Sequence, residues 1–173
     1  MGYRSICRKV KQLKRTKTFH NLQSADTVGV LFDSTQQSSY QAARAFVNSL
    51  VEKGKKVMAL GMVLNQEMLN YYVQQDCFSF FSLEKTTFLC YPDSPAVEQF
   101  VSRDFDLLVN VSTVENLSVD YVMALSKAKC KISPVLSNND FADFLFQFNN
   151  LASLETATLI ERIKEYLSMI SRG

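Results

Sequence analysis

The chain has 173 residues, 47% apolar and 21% charged, with five glycines and three prolines. That length fits one ordinary domain with a sizeable core, and the scarcity of Gly and Pro argues against long linkers. No apolar run approaches a membrane span, and the start lacks the continuous apolar segment of a secretory signal, so neither is expected.

The net charge of +2 hides an asymmetry. Residues 1–25 carry seven Lys/Arg and no acid, while the remaining 12 Lys/Arg face all 17 acids, so the head is +7 and the body −5. Such a split predicts a basic arm that meets a polyanion. On a helix over residues 3–17, Tyr3, Ile6, Cys7, Val10 and Leu13 form an apolar stripe. Arg4, Arg8, Lys11 and Arg15 run down another side, with Lys9, Lys14 and Lys17 around them. "MGYRSI" has Ile6 where a myristoylation signal wants Ser or Thr, so lipidation is not expected.

The pattern changes at Thr27. "TVGVLFD" (27–33) reads as a buried strand, and "STQQSS" as a polar loop with helix-capping residue types. Ala42, Ala43, Phe46, Val47 and Leu50 then share one helical face, and Gly54 stands where a helix C′ residue belongs. "KVMALGMV" (56–63) completes a β–α–β unit. A helix is expected over 66–75 and a strand over 77–83, with 86–91 undecided between strand and irregular chain. Pro95 suits the first position of a helix capped by Asp93 or Ser94. "FDLLVNVS" (105–112) is a buried strand. A helix over 118–129 follows, with Tyr121, Val122, Leu125 and Ala128 on one face and Ser126 and Lys127 turned away. "CKISPVL" (130–136) is a strand whose Pro134 marks its end or an edge. A last strand over 143–148 and a long helix over 154–170 close the chain.

Strands alternating with helices imply a mostly parallel sheet covered on both faces. The expected fold is therefore α/β: a single three-layer Rossmann-like domain (26–173) preceded by a basic amphipathic helical arm (1–25). The runs "VGVLFD", "EKGKKVMALGM", "FDLLVNVS" and "YVMALSKAKCKIS" resemble those of a family of short uncharacterised bacterial proteins. The resemblance implies a bacterial, Rossmann-like domain and carries no functional residues.

Chemistry is sparse. Cys7, Cys77, Cys90 and Cys130 lie far apart, which suits reduced cytoplasmic thiols better than zinc. The one histidine, His20, reads as a surface or capping residue, and there is no nucleophile elbow. Asp104 and Asp106 read as a solvated pair. Neither a glycine-rich dinucleotide loop nor a P-loop occurs. No catalytic residue, metal site or cofactor is expected. Two binding regions remain. The leading one is the arm, where Arg4, Arg8, Lys9, Lys11, Lys14, Arg15 and Lys17 would contact RNA or another anionic surface. The alternative is a small anionic or nucleotide-derived ligand at the strand ends. It would sit on Asp33, Ser34, Thr35, Ser38, Ser39, Asn110, Ser112 and Thr113, with Gly61 and residues 138–140 beside them. A third reading has the apolar stripe lie in a membrane surface.

Overall fold

A computed structural model describes residues 2–72, 77–87, 91–136 and 141–170. In chain order the elements are α1 (Gly2–Gln12), β1 (Thr27–Asp33), α2 (Gln37–Glu52), β2 (Lys56–Val63), α3 (Gln66–Tyr71) and β3 (Phe78–Ser82). They continue with α4 (Pro95–Ser102), β4 (Leu107–Asn110), α5 (Leu117–Leu125), β5 (Cys130–Pro134), β6 (Phe144–Phe146) and α6 (Thr156–Met169).

The six strands form one parallel sheet in the order β3-β2-β1-β4-β5-β6. The chain builds outward from β1 through β2 and β3, then returns to place β4 on the other side of β1. Inward-facing residues alternate between the sheet's two faces, as period two requires. Val28, Val30 and Phe32 join the cluster covered by Ala43, Phe46, Val47 and Leu50 of α2 and Leu159, Ile160 and Ile163 of α6. Leu31 joins the opposite cluster, under Val97 and Phe100 of α4 and Val119, Val122 and Met123 of α5. Ile6 of α1 is fully buried in that second cluster, with Cys7 and Val10 packed beside it.

Local signals fix several ends. Gly54 has φ 78°, and the N–H groups of Gly54 and Lys55 donate to the carbonyls of Val51 and Leu50. That is a Schellman closure, which favours glycine because a side chain is strained at positive φ. Ser94 and Pro95 open α4 as their residue types suggest. Pro134 ends β5, where a missing N–H costs least.

Four expectations need correction. The first helix stops at Gln12, so Lys14, Arg15 and Lys17 lie beyond it. Arg15 explains the break: its Nε donates to the Ala128 carbonyl and its Nη2 to that of Lys129, and it pairs with Asp143. The third helix ends at Tyr71; Tyr72 turns extended and its hydroxyl donates to the Ser34 carbonyl at 2.7 Å. Residues 73–76 lie outside the described chain. The fifth helix ends at Leu125 rather than 129, and Ser126 is buried, not turned away.

The fourth concerns Asp106, which is no solvated acid: its carboxylate accepts from the N–H groups of Asp26 and Thr27 and from Lys129 Nζ. Burial alone would raise this carboxyl. The Lys129 bond and the two backbone N–H groups outweigh it and hold the group well below the usual carboxylate range.

Candidate functional site

The strand order reverses between β1 and β4, and the helices that follow them leave to opposite faces. A crevice opens outside the carboxyl ends of such strands, where open α/β sheets hold ligands. Here it is a cleft of about 370 Å³ lined by Asp33, Gln36, Ser38, Ser39, Thr113 and the start of α6. A larger cavity of about 520 Å³ lies at the other edge of the sheet, by Thr27, Lys56 and Phe105, where strands begin. Topology favours the smaller one.

Each wall has a local cause. Asp33 is the last residue of β1 and is nearly buried; its carboxylate accepts the Thr35 N–H at 2.8 Å, which turns the chain toward α2. Gln36 is the N-cap of α2 and Glu155 that of α6, and neither side chain caps its helix. Two helix starts with N–H groups not satisfied by a cap side chain thus face one cleft, each carrying positive partial charge. The helices are tied there by Thr156, whose Oγ1 donates to Ser39 Oγ at 2.9 Å. Asp33 and Glu155 supply carboxylate acceptors, while Ser38, Ser39, Thr113 and Thr156 supply hydroxyls. Among the described residues no Lys or Arg lines the cleft.

The eight residues expected at the strand ends divide evenly. Asp33, Ser38, Ser39 and Thr113 line the cleft. Ser34 is fully buried and donates to the Met62 carbonyl at 2.8 Å, so it ties β1 to β2. Thr35 serves the turn after Asp33. Asn110 is buried, with Nδ2 donating to Ser133 Oγ and Oδ1 accepting the Ser112 N–H. Ser112 is fully buried too, and its hydroxyl has no partner among the described residues. Gly61 is not at the crevice but beneath Phe32 and Phe80, and residues 138–140 lie outside the described chain.

The basic residues also separate. Arg4, Arg8, Lys11 and Lys14 are exposed and have no ion-pair partner among the described residues. Lys9 lies over the rings of Tyr91 and Tyr121, at 4.6 and 5.3 Å. Lys17 reaches Asp143 at 3.2 Å, and Arg15 is bound to the same carboxylate. His20 is half-buried, with Nδ1 unbonded among the described residues. Among the described residues Cys7 and Cys130 are free thiols, and no three His, Cys, Asp or Glu side chains gather as a metal site. Cys90 lies outside them. No described helix is long and apolar enough to cross a membrane.

The model of a family of unknown function (DUF6913) matches residues 1–170. The chain belongs to this family. The match takes in α1 together with the whole sheet, so the first helix is as much part of the family as the strands are. A search of curated proteins finds no match.

Proposed function

We propose that this protein binds a small hydroxylated anion, of the size of a sugar or nucleoside monophosphate, in the cleft between β1, β4 and α6. One observation carries the reading: the starts of α2 and α6 converge on the switch-point crevice without side-chain caps. Backbone N–H groups there suit the anionic end, and the carboxylates of Asp33 and Glu155 suit the ligand's hydroxyls. Glu155 is exposed to solvent, which screens its charge from a phosphate. The test is a backbone-amide NMR titration with adenosine 5′-monophosphate and ribose 5-phosphate. Shifts are expected at Ser38, Ser39, Thr113 and Thr156. The Thr156→Val variant is expected to weaken binding about tenfold, the worth of one hydrogen bond in a buried polar site. No shifts at these four residues, or equal affinity in the variant, would overturn the reading.

A second reading is favoured by how α1 packs. Its apolar side, Ile6 with Cys7 and Val10, is already spent against α5, which removes the surface a membrane-lying helix would bury. Its exposed side is left with Arg4, Arg8 and Lys11, followed by Lys14. Rises of about 6 and 4.5 Å separate the three helical cations. This ridge suits the phosphates of RNA. Four such contacts to a single strand predict an affinity drop of about 50-fold between 50 and 200 mM salt. Fluorescence anisotropy with a labelled RNA oligomer checks this, and the Arg4→Glu/Arg8→Glu/Lys11→Glu variant is expected to abolish the salt-sensitive binding. Arg15 is left out because its guanidinium is committed to Asp143 and two carbonyls.

A further inference from the structure

Lys131 of β5 is the one buried cation among the described residues, 2% exposed. Its Nζ donates to the carbonyls of Met123 and Ala124, at 2.6 and 3.2 Å, where α5 ends. An ammonium carries three N–H groups, so two acceptors leave it one short. It has no carboxylate partner among the described residues; Asp143 accepts the Lys131 backbone N–H but pairs with Arg15 and Lys17. A buried charge without a counter-charge is costly, and proteins ordinarily pair it or bind something that does.

Beside it is a cavity of about 260 Å³ under the end of α1, lined by Val10, Leu13, Arg15, Lys17, Phe141 and Lys131, with Ala124, Ala142 and Asp143. Its lining sets three cations against one carboxylate, and the remaining wall is apolar. Five of the nine lining residues, Val10, Leu13, Ala124, Phe141 and Ala142, offer a wholly polar anion no donor side chain. A short aliphatic tail with one carboxylate matches both parts.

We propose that this cavity is a binding site for a small aliphatic monocarboxylate, its carboxylate held by Lys131 and its tail by Val10, Leu13 and Phe141. The site is separate from the cleft at β1 and β4 and does not depend on it. The charged groups facing Lys131 are Arg15 and Lys17 from the segment after α1 and Asp143 from the segment before β6. Desolvation first, then the Arg15 charge, lowers the Lys131 amine to about 7. The anion therefore binds the protonated amine, and its affinity falls as pH rises above that value.

The experiment is a titration of the full chain with sodium butyrate at constant ionic strength, followed by NMR of the Leu13 and Ala124 methyls and the Lys131 ε-carbon. Sodium chloride serves as the control. Expected are saturable shifts with butyrate alone, affinity at least tenfold higher at pH 6 than at pH 8.5, and a rise in the Lys131 titration midpoint on binding. Lys131→Met is expected to lose binding tenfold or more. If that variant does not fold, the ε-carbon midpoint in the wild type decides alone. An unmoved midpoint, or shifts that chloride reproduces, would overturn the proposal.

Discussion

Gly61→Val is expected to destabilise the protein by about 3 kcal/mol, a fall of roughly 10 °C in the thermal midpoint, measurable by circular dichroism. Gly61 sits on β2 in register with Phe32 of β1 on one side and Phe80 of β3 on the other. The two rings close over it, with centroids 6.0 Å apart and planes at 81°. A Cβ placed on Gly61 would stand 2.5 Å from Phe80 Cδ1 and 2.8 Å from Phe32 Cζ. Neither ring has room to yield, since Phe32 also meets Phe78 edge-on and Phe80 stacks on Tyr72. The strain is between side chains rather than in the backbone. Pairing the substitution with Phe80→Leu should therefore recover part of the loss, a non-additivity that a double-mutant cycle reads directly. Additive losses would place the cause elsewhere.

Gly61 also marks what the sequence could and could not say. "KVMALGMV" is legible as a buried strand because its apolar run is too short for a helix and is followed by polar chain. The glycine's role depends on which strands flank it, and strand order rests on pairings between distant segments. Local ends were legible where one residue type suffices, as at Gly54 and at Ser94 and Pro95. They were not legible where a distant partner overrides local preference. Arg15 looks like one more charge on a basic helix, yet its carboxylate partner is 128 residues away and pulls the chain out of helix.

The candidate cleft divides the same way. Asp33, Ser38, Ser39 and Thr113 follow from the rule that ligands sit beyond parallel strand ends. Thr156 and Glu155 had no such signal. They begin a helix more than a hundred residues later, and Glu is a poor cap residue that draws no attention as one. Lys131 was hidden by its neighbours: one Lys in "CKISPVL" reads as the solvent side of a strand, and only the helix lying over β5 makes it a buried charge.

That buried charge sets the second large effect, a stability that climbs with pH. In the unfolded chain Lys131 keeps its proton up to its ordinary value of 10.5, while in the folded protein it releases it at about 7. Between these limits the unfolded state binds more protons, so raising the pH favours the folded state. Below about 7 both states are protonated and the folded protein bears the whole cost of the buried ammonium; above about 10.5 neither is. At about 1.4 kcal/mol per pH unit, with the folded amine half-titrated at the start, wild type should gain roughly 2 kcal/mol between pH 7 and pH 9 relative to Lys131→Met. Desolvation also raises the Cys130 thiol, which acts in the opposite sense as its unfolded counterpart ionises, but it is common to both proteins and cancels in the difference. Urea titrations of the two proteins at pH 6, 7, 8 and 9 make the comparison. The variant should be at least as stable as wild type at pH 6, because methionine fills the site without a charge to desolvate, although two α5 carbonyls lose their donor. Curves that run parallel across the window would mean that the amine is protonated, solvated and paired throughout, and the cavity beside it would then have no unmet charge for an anion to answer.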